Sequence, residues 1–180
     1  MKIAPQSPLG SILGDVDKAI NAKLYYPALV VALTIPEICS ALCEERKVHI
    51  KQLQYVTFVN KYATPFGLGL EGLACYRLRG GVIHRGNAAG HAFSEVSHVI
   101  FTVPESAVEV HGLSMQSGKN TAGVLSIIPF CAAMTQAAER WYEDYHADKT
   151  VIRNFPKLLS WRAEGVYPFI VGTPVIASEI

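Results

Sequence analysis

YRLRGGVIHRG, residues 76–86, is the stretch around which the chain is organised. It contains three arginines and one histidine, and it has no acidic residue. The whole chain carries a formal net charge of only +1, so this local positive charge stands out. In a helix, Arg77 and His84 are seven residues apart and share one face, whereas Arg79 and His84 are five apart and converge obliquely. An arginine fork beside an imidazole is suited to binding a phosphate and moving a proton near neutral pH.

The same basic residues also have a purely structural explanation. Basic side chains near the end of a helix often bond the free carbonyls and meet the negative end of the helix dipole. In that case Arg79 and His84 are expected to be buried, or paired with carboxylates such as Glu37 or Glu71. A phosphate site instead predicts that His84 is exposed in a cleft beside Arg79 or Arg77.

Length and composition indicate one domain, residues 1–180, with a sizeable core. Half of the 180 residues are hydrophobic and only 17% are charged, and a chain of this length is large enough to bury its own interior. The apolar excess is also expected to cover a subunit interface. The near-neutral charge argues against a broad basic face that coats nucleic acid, but it leaves room for a local phosphate site.

The cysteines predict reduced thiols rather than a metal site. Cys39 and Cys43 are four residues apart and His49 follows them, but no second Cys or His pair follows at a zinc-like interval. We therefore expect these two thiols, with Cys75 and Cys131, to be reduced and buried in a cytoplasmic protein. No metal and no cofactor is expected.

Neither a leader nor a membrane span is expected from the sequence. The first residues, MKIAPQSP, lack the charged-then-apolar layout of a signal peptide. The longest apolar run, residues 28–35, is too short to span a bilayer and is followed by Pro36.

Apolar residues at helical spacing predict a mainly α fold, a bundle of four to five helices with a small β-hairpin insertion. The helical segments are expected at residues 9–24, 27–45 with an interruption near Pro36, 49–62, 68–84, 124–147 and 149–161. Two β-like runs, 96–103 and 107–113, predict the hairpin insertion at about 96–113. Residues 118–123 are expected to form a loop, and residues 167–176 an extended segment packed onto the bundle or a partner.

The segment from Arg79 to His84 has the form arginine, four residues, histidine, and it resembles the signature of the HEPN superfamily. These are helical-bundle proteins found in many prokaryotic toxins and defence systems. Arg77 to His84 has the same form with six residues between. Three further short segments, spread between residue 26 and residue 175, resemble an uncharacterised bacterial or plasmid-borne branch: residues 26–38, 83–86 and 168–175.

The resemblance implies a homodimer in which two motif-bearing helices meet across a cleft, and a metal-independent endoribonuclease activity. It implies that His84 acts as general acid or base when an RNA 2′-hydroxyl attacks the adjacent phosphate. Arg79 would hold the phosphate and stabilise the transition state, with Arg77 as the competing candidate for that role. Three flanking residues are the candidates for contacting substrate: Tyr76, Arg85 and Asn87.

Gly80 departs from the family pattern, because the residue after the arginine is commonly polar in active members, often an asparagine that helps orient the other two. Three hypotheses follow. The first is a dimeric endoribonuclease, a toxin or defence effector for which an antitoxin or another protein is a candidate partner. The second is a catalytically inactive module that binds nucleotide, RNA or protein. The third is a helical protein whose arginines only cap helix ends and form ion pairs with carboxylates.

Three other segments offer weaker candidate sites. Ser94, Glu95 and His98 suggest a hydrolase, but no strand-turn-helix nucleophile elbow precedes them. Residues 84–91 are rich in glycine, yet they lack the lysine and spacing of a P-loop. Residues 139–146 are both aromatic and charged, which indicates a helix with one packed face rather than a base-stacking platform.

Overall fold

The computed structural model describes residues 2–45, 49–93, 96–105 and 110–179, with residues 89–93 described by their backbone alone. Within these ranges the chain forms six α-helices, a four-stranded sheet and two two-stranded sheets. The helices are α1 (Pro8–Asn21), α2 (Tyr25–Leu42), α3 (Gln52–Phe58), α4 (Gly72–Arg85), α5 (Ile127–Tyr145) and α6 (Lys149–Asn154). The strands are β1 (Ala89–Phe93), β2 (Val96–Thr102), β3 (Leu113–Ser117), β4 (Asn120–Ser126), β5 (Ser160–Arg162), β6 (Gly165–Val166), β7 (Ile170–Val171) and β8 (Val175–Ala177).

The predicted mainly α bundle with a hairpin insertion is wrong, because the protein has an α+β fold. The four-stranded sheet has the order β1-β2-β4-β3. It is mixed, since β2 pairs with β4 in parallel whereas β1 pairs with β2, and β3 with β4, antiparallel. The predicted hairpin partner of β2, residues 107–113, lies partly outside the described residues. In the structure β2 pairs instead with β4, and β3 begins where the predicted strand ends.

One of the strands that was not predicted from the sequence is β4, most of which was expected to be a loop. Gly118 has a φ of +59°, which allows a two-residue turn between Ser117 and Asn120 in place of a longer loop. The first half of β4 contains asparagine, alanine and glycine, which are depleted in strands. Pairing with β2 on one side and β3 on the other holds this half of β4 extended, so tertiary structure overrides local preference.

The helices pack around α2, which contacts α1, α3, α4, α5 and α6. Its apolar side chains point in most directions, and those of Leu29, Leu33, Ile35 and Cys39 are buried. Pro36 is also buried and lies inside the helix without ending it, so the predicted interruption there does not occur. By length and composition alone α2 could cross a membrane, although the core helix of a soluble protein passes the same test.

The other predicted helices are confirmed except at the C-terminal end. Segments 9–24, 68–84 and 124–147 correspond to α1, α4 and α5 with shifted ends. Segment 49–62 corresponds to α3 and a π-helical turn that continues it, Val59–Ala63. Segment 149–161 is helical only through α6. Pro156 then stands in a 3-10 turn, and the chain becomes extended at Leu158.

The C-terminal residues 159–177, here called the C-terminal arm, form a two-stranded ribbon. β5 pairs antiparallel with β8, and inside that pair β6 pairs antiparallel with β7. The prediction of an extended C-terminal segment is therefore confirmed. The contact between β5 and α1 attaches the base of the arm to the helices.

The four-stranded sheet is joined to the helices through His111 and the start of α5. The Nε2–H of His111 donates to the carbonyl of Gly67 at 2.6 Å, and its Nδ1 accepts from the Ser126 backbone N–H at 3.1 Å. Both bonds fit one neutral tautomer of the imidazole. Because β4 ends at Ser126 and α5 begins at the next residue, this histidine fixes the point where sheet becomes helix.

Two glycines in α1 should respond in opposite ways to replacement by alanine. A Cβ at Gly10 would lie 2.1 Å from the carbonyl oxygen of Ala4, whereas one at Gly14 would have nothing within 4 Å. We expect Gly10→Ala to lower the free energy of unfolding by about 2–3 kcal/mol through overpacking. Gly14→Ala should raise it by about 1 kcal/mol, since alanine favours the helix. Urea unfolding of both variants measures these changes. A lower free energy of unfolding in both variants would contradict the open space found beside Gly14.

Candidate functional site

The candidate motif lies on α4, and the first half of that helix is fixed by its neighbours. The Gly72 N–H donates to Asn60 Oδ1 at 2.8 Å, so a side chain of the preceding helical segment caps the start of α4. Cys75 and Leu78 are buried against the core, and the Cys75 thiol lies 3.6 Å from the hydroxyl of the buried Tyr55. Burial raises the pKa of Cys75 to about 12, so this thiol is protonated and inert at neutral pH.

The end of α4 is closed by its own backbone. Gly86 adopts a left-handed conformation with φ +63°, and the Asn87 N–H donates to the carbonyl of Gly81 at 3.2 Å. This arrangement is a Schellman-type cap, which satisfies carbonyls that would otherwise lack a partner. His84 and Arg85 lie in the last turn, where a positive charge meets the negative end of the helix dipole.

Arg79 is held by α2 rather than presented beside His84. Its guanidinium forms an ion pair with the carboxylate of Glu37, and the Arg79 side chain is only 17% exposed. The guanidinium also lies 5.9 Å from the centre of the Tyr76 ring. Glu37 is one of the two carboxylates, with Glu71, that a structural role for Arg79 predicts as its partners. The ion pair therefore links α4 to the central helix.

Arg77, Gly80 and His84 define the outward surface of α4, here called the α4 face. They are separated by three and four residues, so they follow one another along one side of the helix. His84 is exposed and Arg77 is half-buried. A Cβ at Gly80 would meet nothing within 4 Å, so the space above its backbone is open. The α4 face thus combines an arginine, an accessible stretch of backbone and an exposed imidazole.

The three flanking candidates have different surroundings. The Tyr76 ring packs edge-on against Tyr55 at 5.4 Å between ring centres, which makes it part of the helix packing. Arg85 and Asn87 are exposed at the end of α4, next to the Gly86 cap. These last two can extend a binding surface from His84 onto the end of the helix.

A separate cleft, which sequence analysis did not identify, lies between α2, α3, the π-helical turn and α5. It encloses about 290 Å³ and is lined mainly by apolar groups, including Phe58, Trp141 and Tyr145. At its rim Lys61 and Tyr62 both bond the same oxygen of Asp144, at 3.2 and 2.9 Å. A π-helical turn is not visible in hydrophobic periodicity, so the contact of these two side chains with Asp144 could not be predicted from the sequence.

The polar groups at that rim satisfy one another. Burial is the main reason that the pKa of Tyr62 is raised to about 12, and the hydrogen bond from Tyr62 is the main reason that the pKa of Asp144 is lowered. Tyr62 is therefore protonated and Asp144 ionised at neutral pH. The arrangement stabilises the contact between the π-helical turn and α5, and it offers no group poised to transfer a proton near pH 7.

The remaining predictions of sites and thiols have mixed outcomes. Cys39, Cys75 and Cys131 are buried and Cys43 is partly buried; all four are free thiols. His98 contacts the neighbouring Ser97 hydroxyl at 2.9 Å, whereas Ser94 and Glu95 lie outside the described residues. In segment 139–146 Trp141 is buried, which confirms the predicted packed face.

Breaking the pair of Arg79 and Glu37 should destabilise the fold more than breaking an exposed pair. We expect Arg79→Ala to lower the free energy of unfolding by about 1–3 kcal/mol, between the values for exposed and buried pairs. In a double-mutant cycle with Glu37→Gln the two losses should not add. Arg140→Ala, which removes an exposed pair with Glu143, is the control and should cost less than about 1 kcal/mol. Strict additivity in urea unfolding would show that the pair does not link the helices.

No family model, curated protein or solved structure matches this chain. The HEPN resemblance therefore remains a prediction that depends on the motif residues and their flanking segments.

Proposed function

We propose that the protein binds RNA through the α4 face and cleaves it without a metal ion, using His84 as the group that moves the proton. The observation that supports this most directly is the alignment of Arg77, the open backbone at Gly80 and the exposed His84 along one side of α4. A phosphodiester needs a cation, room to approach, and a proton acceptor beside the neighbouring 2′-hydroxyl. The α4 face has all three.

In this proposal Arg77, rather than Arg79, holds the phosphate. The sequence alone does not distinguish between the two arginines. Arg79 pairs with Glu37 and is largely buried, so moving it onto a phosphate would leave a carboxylate without its partner. Arg77 shares its helix face with His84, whereas Arg79 is turned away by about 140° around the helix axis, at roughly 100° per residue.

The proposed reaction balances as an internal transesterification. His84 takes the proton of the 2′-hydroxyl, and the 2′-oxygen forms a bond to phosphorus. The bond from phosphorus to the 5′-oxygen breaks, and the departing oxygen takes a proton from water. Arg77 stabilises the extra negative charge on the phosphorane-like transition state. The products are a 2′,3′-cyclic phosphate and a 5′-hydroxyl, and the same activity in a cell would make the protein a toxin or defence effector.

RNA binding without cleavage is the second candidate function. Two observations favour it. Among the hydrogen bonds of the described side chains, none orients the His84 ring. Gly80, four residues before His84 on the same side of α4, has no polar side chain with which to do so. A module with this surface would hold phosphates through Arg77 and Arg85 and leave the backbone intact.

Incubation of a structured RNA with the purified chain in EDTA tests the proposal. Cleavage with cyclic-phosphate ends is expected, and Arg77→Ala should lower its rate about 10²–10³-fold, at least tenfold more than Arg79→Ala does. An equal effect of the two arginines would contradict the assignment to Arg77. RNA binding with no cleavage by the wild-type chain would support the binding module instead.

Gly80→Asn separates the two functions further, because the structure has room for a side chain at that position. If orientation of His84 limits catalysis, this variant should cleave RNA faster than the wild-type chain. Gly80→Ala is the matched control, since it fills the same space and favours the helix by about 1 kcal/mol without offering a polar group. A rise in rate with alanine as well as asparagine would point to helix stability rather than orientation.

A further inference from the structure

The C-terminal arm exposes an unusual amount of apolar surface. Tyr167 is 82% exposed, Phe169 78%, Ile176 70% and Trp161 65%, and three further apolar residues of the arm are also exposed: Leu159, Ile170 and Val171. A fully exposed aromatic side chain presents about 150–250 Å² and an aliphatic one less, so the seven residues, counted over both sides of the ribbon, offer roughly 800 Å². The largest apolar patch on a typical monomer is about 300–600 Å².

The arm also has little support from its own chain. An isolated two-stranded ribbon is marginally stable in water, because one pair of strands buries too little apolar surface. β5 contacts α1 at the base of the arm. At the far end, by contrast, the exposed Tyr167 and Phe169 border the turn between β6 and β7. A ribbon of this composition gains stability by packing on a further surface.

The exposed residues of the outer strand pair form one face, whereas Ile170 and Val171, which are consecutive residues of β7, point to opposite sides of the ribbon. Trp161 on β5 lies directly across from Ile176 on β8, so the two side chains point to the same side of the ribbon. On the inner pair Val171 lies across from Gly165, which has no side chain to cover it. Residues 159–176 contain only two charged residues, Arg162 and Glu164. Arg162 is turned toward its own chain, donating to the carbonyl of Pro156 at 2.8 Å.

We propose that the C-terminal arm is a homodimer interface, occupied by the arm of a second copy of this chain. Its apolar area, summed over both sides of the ribbon, matches the about 800 Å² that each partner contributes to a standard stable interface. Aromatic enrichment and few charges are typical of the core of such interfaces. The face is self-complementary, because around a two-fold axis Trp161 of each copy can pack beside Ile176 of the other. The arm offers almost no charge with which to select a different, charged partner.

This inference is independent of the proposed function. The resemblance places a dimer contact at the motif helix, whereas the arm is attached near α1, and α4 packs against α2, α3 and β1. An arm-mediated dimer therefore predicts that substitutions on the α4 face leave association unchanged. Failure of RNA cleavage would not affect the interface, and failure of dimerisation would not remove the α4 face.

Sedimentation equilibrium of the full chain from about 1 to 100 μM tests the proposal, since this range brackets micromolar dissociation constants. The wild-type chain should dimerise. Ile176→Lys should weaken dimerisation at least about 100-fold, because it places two ammonium groups near the two-fold axis of a desolvated interface. The matched control is Met115→Lys on β3, where the original side chain is 55% exposed, and it should change the dissociation constant less than threefold.

A second variant, Gly165→Ala, and the fluorescence of Trp161 test the same interface independently. A Cβ at Gly165 would lie 2.2 Å from the carbonyl oxygen of Ile170, and this glycine has φ +83°, so Gly165→Ala should distort the arm and abolish the dimer. Gly172→Ala, also at a positive φ but with nothing within 4 Å of the new Cβ, is its control. The fluorescence of Trp161 is the part of the emission that the Trp161→Phe variant lacks. As the concentration of the wild-type chain rises, this emission should shift to shorter wavelength, because Trp161 becomes buried in the dimer. A wild-type chain that stays monomeric, or a dimer that Ile176→Lys leaves intact, would overturn the proposal.

Discussion

Replacement of His84 by alanine should lower the rate constant of RNA cleavage by about 10²–10⁴, the range expected for loss of a general acid or base. RNA binding should change little, because Arg77 and the helix end supply the phosphate contacts and His84 is exposed. The fold should also be retained, since an exposed residue in the last turn of α4 contributes only a modest interaction with the helix dipole. Single-turnover cleavage of a labelled RNA in EDTA, with binding measured in parallel, separates these effects.

His49→Ala is the matched control, because this histidine is also exposed and lies outside α4. It should cleave at the wild-type rate. Cleavage that persists at the wild-type rate in His84→Ala would exclude His84 as the proton-transfer group. Loss of cleavage together with an equal loss of RNA binding would instead assign His84 to phosphate contact, and the function would then be binding alone.

The α4 face could be predicted from the sequence only in part. Helical spacing places Arg77 and His84 on one side of α4, but it left Arg79 as a residue that could converge obliquely with His84 on the same anion. Helical spacing does not show which of the two arginines has a structural role, because the ion pair of Arg79 with Glu37 joins residues 42 positions apart. The functional assignment of the two arginines therefore depended on tertiary structure.

The sheet was less predictable than the helices, for two physical reasons. The first half of β4 has weak strand preference and becomes extended through pairing on both sides. The pairing of β2 with β4 is parallel and non-local, so the nearest β-like run in the sequence was the wrong partner. By contrast, α1, α4 and α5 have apolar residues at helical spacing along their whole length, which explains why they could be predicted.

The packing of the sheet onto the helices leads to the largest expected effect on stability. Phe130, in the first turns of α5, is fully buried, and its ring meets that of Phe101 on β2 edge-on at 5.1 Å between centres. This contact connects the sheet with the helix that follows β4. Phe130→Ala should lower the free energy of unfolding by about 3–5 kcal/mol, the cost of emptying a well-packed aromatic site. That is a large share of the about 5–15 kcal/mol that keeps a domain folded.

Ile128→Ala in the same helix is the control, because its side chain is 41% exposed, and it should cost about 1 kcal/mol or less. Urea unfolding followed by tryptophan fluorescence and by far-ultraviolet circular dichroism measures both variants. If the sheet is part of one core with the helices, the two signals should coincide in Phe130→Ala at a lower midpoint. Two separate transitions, or a loss no greater than that of Ile128→Ala, would show that the sheet folds independently of α5. The contact of Phe101 with Phe130 would then not couple the sheet to the helices. The sheet would be an addition to a helical domain, which is how the sequence-based prediction of a hairpin insertion described it.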